Sequence, residues 1–584
     1  MKFRLKLPEQ SSNVPTTNEQ SSIHSTEFWK IALRLLLSIS AAVIAGFQLF
    51  HFLTSRPEQL ASHGILLDDA YFYSVLARNY HQLGFLSLDG VMKTNGIQPL
   101  WMLIQVFLTG LFPKIGEVEL LSRSSWFFYV LFTFLTIWYV SKPRSSSSIS
   151  AVAASLLISS GILLNINFQK MVVSGLETPL MLFLLVLFLY IFDRIVPPTV
   201  SPDRSLPVWQ VIVLAVLGTL VFFARTDFFW LSLMAAIWLI FTYKDRLRSV
   251  LLYAGSSLLI ILPYLISNNI NHGHFMPISG RVKVYYLNTY YPSFRTYLSS
   301  NEWKGLLFTL RDVFELPNDL KILILLAFSF TVAGLIFAGK FRNSAHISAS
   351  LKILTLAVIA HAAFMHIIYR ELRPYSGYYF SGELVWAFLW VSSLLDWLFS
   401  ISKEALSQPS RRSFLSRVLP TLAGLIIILF AVGLGSKFVT LHELKASKYS
   451  IERVNLARDI ERLVPAGERV GAFWPGVFAQ FSNRSIVPLD GIIGSEEYFN
   501  DYLQHGREMD YLSENSVKYV VVFIKKLPGG AFTDKAPNVF DWTVLGARKV
   551  WEYRHISKII AARAWGTDQT GWYLIQIDDP SQAQ

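Results

Sequence analysis

The chain has 584 residues, of which 53% are apolar and only 16% charged, against about 25% charged in soluble proteins. Repeated apolar runs near 20 residues therefore place it among polytopic membrane proteins. It carries 52 basic and 40 acidic residues, a net charge of +12, and no cysteine. This excludes disulfides, thiolate catalysis and zinc–thiolate sites, and the basic excess reads as cytoplasmic loops rather than nucleic-acid binding.

Residues 1–30 are polar, with Ser, Thr, Asn and Gln dense over 9–26, and read as a disordered cytoplasmic tail. No small-residue cleavage site follows the first apolar run, so a signal peptide is not expected. Apolar spans are predicted at 31–53, 122–140, 149–166, 179–195, 208–224, 227–243, 249–267, 321–339, 350–369, 380–399 and 418–436, eleven in all. The run "PLWMLIQVFLTGLF" (99–112) has 14 residues, too few to cross a bilayer, and reads as an interfacial or re-entrant helix. Loop charge supports that choice. With eleven spans and the N-terminus inside, "KPR", "DRIVPPTVSPDR", "YKDRLR", "GKFR" and "KEALSQPSRRSFLSR" all fall on the cytoplasmic side, as the positive-inside bias requires. A twelfth span at 99–112 would reverse every later loop.

The fold class expected is thus mostly α, a polytopic membrane protein of about eleven transmembrane helices over 31–436. The large first outer loop is 54–121, and 437–584 forms an extracytoplasmic α/β domain. In that last segment Ile451, Val454, Ala457, Ile460 and Leu463–Val464 recur at helical spacing. Short apolar runs bounded by Gly, Pro, Asn and Asp follow, and read as strands: "RVGAFW", "SIVPLDG", "VKYVVVFI", "KVWEYR" and "WYLIQI". The cell membrane is the expected location, with the N-terminus inside and the C-terminal domain outside.

Candidate chemistry lies on the outer side. "LLDDAYFYSVLARNYHQLG" (66–84) puts Asp68 and Asp69 at the start of a helix that also carries Tyr73 and Arg78. One acid suffices for an N-cap; the second is a general-base candidate. "DGVMKTNGIQPLW" (89–101) offers Asn95 and Gln98, either as an ordinary turn or as hydrogen-bond groups for substrate. "VVSGLETPL" places Glu177 at the mouth of a span, as a cap or as a sugar or metal contact. "FFARTDFFWL" holds Arg225 and Asp227, a mutual pair or a functional one, since charge near the membrane is costly. Arg281 and Lys283 in "PISGRVKVYY", and Arg373 and Tyr375 in "YRELRPYSGYYFSGE", bring cations and phenols to the outer face. Cations there suit a phosphate at headgroup level, or anionic headgroups without catalysis. No Walker loop, H-E-x-x-H or G-x-S-x-G is present.

The acid–acid–aromatic start "DDAYFYSVLARN", followed in order by "TNGIQPLW", "GLETPL", "RTD", "PISGRVK" and "SNRSIVPLDGIIGSEEY", resembles the GT-C superfamily of polytopic glycosyltransferases, which includes protein O-mannosyltransferases and aminoarabinose transferases. The resemblance implies a sugar passed from a polyprenyl-phosphate donor to an extracytoplasmic acceptor, be it glycan, lipid or protein. It also implies that Asp68 is the catalytic base, with Asp69 supporting it or contacting sugar or metal. One base and one departing phosphate suggest a single displacement with inversion. Mg²⁺ or Mn²⁺ held by Asp68, Asp69 and Glu177, or no metal at all, both remain open. Two other classes compete: a transporter or lipid flippase, which should show paired repeats, and a non-catalytic scaffold whose working part is the C-terminal domain.

Overall fold

The computed structural model describes residues 17–48, 50–142, 148–163, 166–196, 205–243, 245–290, 292–299, 348–369, 376–379, 381–390, 392–393, 446–524, 539–544, 547–552, 556–565 and 570–577. Among these, five helices are long and apolar enough to cross a membrane: Phe28–Thr54, Glu117–Val140, Thr178–Ile195, Arg246–His272 and Ala349–Ile368. They fall on five of the eleven expected spans. Three more, 149–166, 208–224 and 227–243, hold the shorter apolar helices Val152–Leu163, Val208–Ala224 and Thr226–Phe241. Segments 321–339 and 418–436 lie outside the described residues, and 380–399 is described only in part. Among the described residues five spans are thus full-length, and the count of eleven stays an expectation.

The outward faces of these helices are apolar. Leu259 and Ile270 on Arg246–His272 are 75% and 74% exposed, a pattern that water disfavours and lipid does not. Pro99–Leu111 forms a helix of 13 residues, in keeping with the short element expected there. The first helix begins at Thr17, inside the stretch that composition reads as a disordered tail. An apolar helix already nucleated downstream extends backwards at little cost through residues such as Glu19, Gln20 and Glu27.

The C-terminal part is a mixed sheet. Strands β1 (Arg469–Ala472), β2 (Ser485–Pro488), β3 (Tyr519–Ile524), β6 (Ile556–Trp565) and β7 (Thr570–Ile577) lie in the order β2-β1-β3-β7-β6. β1 pairs in parallel with β2 and β3, whereas β7 runs antiparallel to β3 and β6. β4 (Val539–Val544) and β5 (Ala547–Glu552) form a separate hairpin. Central β3 is a run of buried valines, Val520–Val522, as a strand covered on both faces requires. The predicted amphipathic helix spans Lys448–Leu463, begins at a Ser447 cap and buries Val454, Ala457 and Ile460.

Candidate active site

The helix Asp68–Leu83 opens on the acidic pair and closes on Gly84, whose φ of 80° is left-handed, a conformation glycine adopts without penalty. The two carboxylates have different surroundings. Asp68 is clamped by the C-terminal domain: Arg453 Nη2 donates to its Oδ1 at 2.5 Å, Val477 N to Oδ1 at 2.8 Å, and Gly476 N to Oδ2 at 3.2 Å. Three donors thus occupy most of the accepting capacity of this carboxylate. The resemblance gave Asp68 the role of base; in this structure its carboxylate is the anchor point of a segment that begins 385 residues downstream.

Among the described residues none hydrogen-bonds the Asp69 carboxylate, and Asp69 keeps partial exposure. Burial pushes its carboxyl up to about 6, with Lys283 and Arg453 pulling the other way and Asp68 adding to the rise. A base poised near neutrality with an open lone pair is what general-base chemistry needs. One turn on, Tyr73 donates to Glu177 Oε2 at 3.3 Å and accepts the Gln98 backbone N–H at 3.1 Å.

Glu177 is fully buried at the N-cap position of Thr178–Ile195, yet its side chain makes no cap hydrogen bond. Instead it accepts from the Tyr73 and Tyr378 hydroxyls and stands 4.0 Å from Arg225 Nε. Arg225, 1% exposed, forms a two-pronged pair with Asp227, donates to the Tyr378 carbonyl, and lies 4.1 Å over the Tyr378 ring. Beyond Asp227 sits buried His361, 3.7 Å from Asp227 Oδ2, its Nδ1 2.6 Å from Glu383 Oε1. A small cavity is lined by Gln98, Arg225, Asp227, Lys283, Tyr378 and Tyr379 among others. Lys283, which lines this cavity, is also the cation that most opposes the rise at Asp69. An open groove adjoins the cavity through shared Met276 and Gly280, with Val284, Phe364, Ile368 and Phe499 on its walls.

The remaining sequence candidates hold the structure together. Arg281 pairs with Glu496 and reaches Asn500 at 3.2 Å, so it docks the domain rather than facing a phosphate. Arg78 approaches the Ala479 carbonyl at 3.5 Å. Asn95 Oδ1 accepts the Ile278 N–H at 2.9 Å, and Gln98 Oε1 that of Thr226 at 3.0 Å. Arg373 and Tyr375 lie outside the described residues. Asp68, Asp69 and Glu177 do not converge: Asp68 faces Arg453, Glu177 faces two tyrosines, and no three ligating side chains meet among the described residues. The metal arrangement open in the sequence does not fit these donors.

Arg453, Asp490, Tyr378, His361 and Glu383 escaped sequence reasoning. His361 and Glu383 did carry a signal, a polar residue inside an apolar run. Asp490 lay at the end of "SIVPLDG", read only as a strand; it is 1% exposed, accepts from Trp474 N and Ile492 N, and burial pushes its carboxyl up to about 7, Asp68 and Asp69 adding to the rise.

The contact around Asp68 has no slack. A Cβ at Gly476 would stand 2.1 Å from the Asp68 carbonyl oxygen, and one at Gly96 2.2 Å from that of Ile492. Backbone cannot yield as a side-chain tip does, so Gly476→Ala should destabilise the protein by about 1–3 kcal/mol. Thermal unfolding in detergent should register it as a clear drop in midpoint, and an unchanged midpoint would show that the contact gives way.

No protein-family model matches the sequence, and no characterised protein matches it by sequence comparison. Solved structures do. Its structural neighbours are GT-C glycosyltransferases. ArnT from Cupriavidus metallidurans, bound to undecaprenyl phosphate, is similar at 12% identity and a TM-score of 0.48, covering 93% of this chain and 97% of that one. The apo oligosaccharyltransferase from Archaeoglobus fulgidus is similar at 13% identity and a TM-score of 0.47, covering 84% and 69%. Likeness at this level assigns neither a residue nor an activity to this chain.

Proposed function

We propose that this chain is an integral membrane glycosyltransferase that moves a sugar from a polyprenyl-phosphate donor to an acceptor outside the cytoplasm, with inversion and with Asp69 as general base. The observation that carries the reading is the asymmetry of the acidic pair. Asp68 is locked, while Asp69 is open, raised, and within electrostatic reach of the Lys283 that lines the cavity. The acceptor oxygen bonds to the anomeric carbon as the bond from that carbon to the phosphate oxygen breaks. The acceptor proton passes to Asp69, and the phosphate leaves with the electron pair, its growing charge met by Lys283. Arg225 is neutralised by Asp227 and Glu177 and shapes the cavity wall rather than receiving the phosphate. The adjoining groove, apolar along Val284, Phe364, Ile368 and Phe499, gives an aliphatic tail a route in from lipid.

Cells lacking the chain should accumulate a polyprenyl-phosphate-linked sugar, and restoring it should clear that pool. An unchanged lipid-linked pool with unchanged envelope glycans would contradict the reading.

The same account places the N-terminus in the cytoplasm, the remaining spans of the eleven in 31–436, and 437–584 outside. The chain has no cysteine, so one introduced thiol reports alone. Ser513→Cys, at an exposed position, should react with a membrane-impermeant maleimide in intact cells. Labelling only after lysis would put the sheet domain on the cytoplasmic side.

A further inference from the structure

We infer that Arg453 is a positioning residue for Asp69, so that the active centre is complete only when the C-terminal domain is docked on the membrane bundle. The inference deepens the proposed function and rests on its assignment of Asp69.

Three donors from the domain fix Asp68, the first residue of its helix. Two of them are backbone amides at the start of a short helix, and the third is Arg453. Fixing the first residue fixes the first turn, and Asp69 is the second residue of that turn. Arg453 is itself immobilised. Its guanidinium lies 5.1 Å from the centre of the Trp572 ring and 5.3 Å from that of Phe478, and also donates to the Trp474 carbonyl. Trp474 sits in the left-handed region, with φ 51°, an uncommon setting for a bulky side chain. Its N–H is held by Asp490 and its carbonyl by Arg453. The strained residue is thus pinned at both ends by groups that face the acidic pair. The charges around Asp69 come from its own helix (Asp68), from the bundle (Lys283) and from the domain (Arg453 and the buried Asp490).

A planar guanidinium can hold the Asp68 carboxylate and the Trp474 carbonyl together while stacked on rings; an ammonium supplies only the charge. Without Arg453, Asp68 loses its counter-charge, and Asp69 loses both an opposing charge and the anchor of its turn.

The test uses the full-length protein in detergent. Carboxyls are labelled with a carbodiimide and glycine ethyl ester across pH, with Asp68 and Asp69 read separately by fragment mass spectrometry. In the unaltered protein Asp69 should show a labelling midpoint near 6. Arg453→Met should move it up by about half a unit or more. Arg453→Lys should keep the fold and move it in the same direction by less. If both variants titrate at Asp69 as the unaltered protein does, the inference is overturned. Should Arg453→Met fail to fold, Arg453→Lys decides alone, and a midpoint identical to the unaltered protein's overturns the inference. The readout needs no substrate, so it stays separate from glycosyl transfer. A shifted midpoint beside an Asp69→Asn variant that still glycosylates would leave the positioning standing and remove Asp69 as the general base.

Discussion

Asp69→Asn should lower glycosyl transfer by about 10²–10⁴-fold, the usual contribution of a general base, with little change in unfolding temperature. The side chain can change without structural loss because no described residue hydrogen-bonds its carboxylate, and the amide is nearly isosteric. The pH profile gives a second reading of the same group. Burial raises the Asp69 carboxyl to about 6, so below that value the protonated form dominates and cannot accept the acceptor's proton. Activity should therefore rise with pH through about 6 and level off above it. A rate independent of pH between 5 and 7, or an Asn variant with near-normal turnover, would remove Asp69 from the chemistry. Initial rates on purified protein with membrane-extracted lipid-linked donor supply both measurements.

Asp227→Leu should cost about 3–5 kcal/mol of stability, because it leaves the buried Arg225 guanidinium without its two-pronged partner. Glu177 cannot substitute: it stands 4.0 Å away and accepts from two tyrosines. Adding Arg225→Met should recover part of the loss, since removing both members of a buried pair also removes the uncompensated charge. Denaturant titration in mixed micelles would measure the coupling. A double variant as unstable as the sum of the singles would mean that the two side chains act independently.

Local pattern revealed local structure. The stop of the acidic helix at Gly84, the amphipathic helix at 448–463 and the strands at β1, β2, β3, β5 and β7 follow from capping, spacing and turn residues; the expected acidic cap does not form, since the N-cap is Leu67 and no side chain caps it. β6 did not, because "ISKIIAARAW" is rich in Ala and basic residues that favour helix; pairing with β7 along its length overrides that preference. The division of labour between Asp68 and Asp69 was illegible for a different reason. Adjacent acids on one turn look equivalent in sequence, and what separates them is a guanidinium and two amides from a domain nearly 400 residues away. Likewise Arg281 read as a phosphate ligand because its partner Glu496 lies far along the chain. The pairing of Arg225 with Asp227 was readable because the two are neighbours.

The central claim, that an open carboxylate at Asp69 takes the acceptor's proton while Asp68 holds the two domains together, meets its most direct test in cells whose sole copy carries Asp69→Asn. Mass spectrometry of their lipid extract, normalised to folded protein, should show the polyprenyl-phosphate-linked sugar at the level seen without the chain. A donor pool at the wild-type level, with the protein folded and the envelope glycan intact, would contradict it.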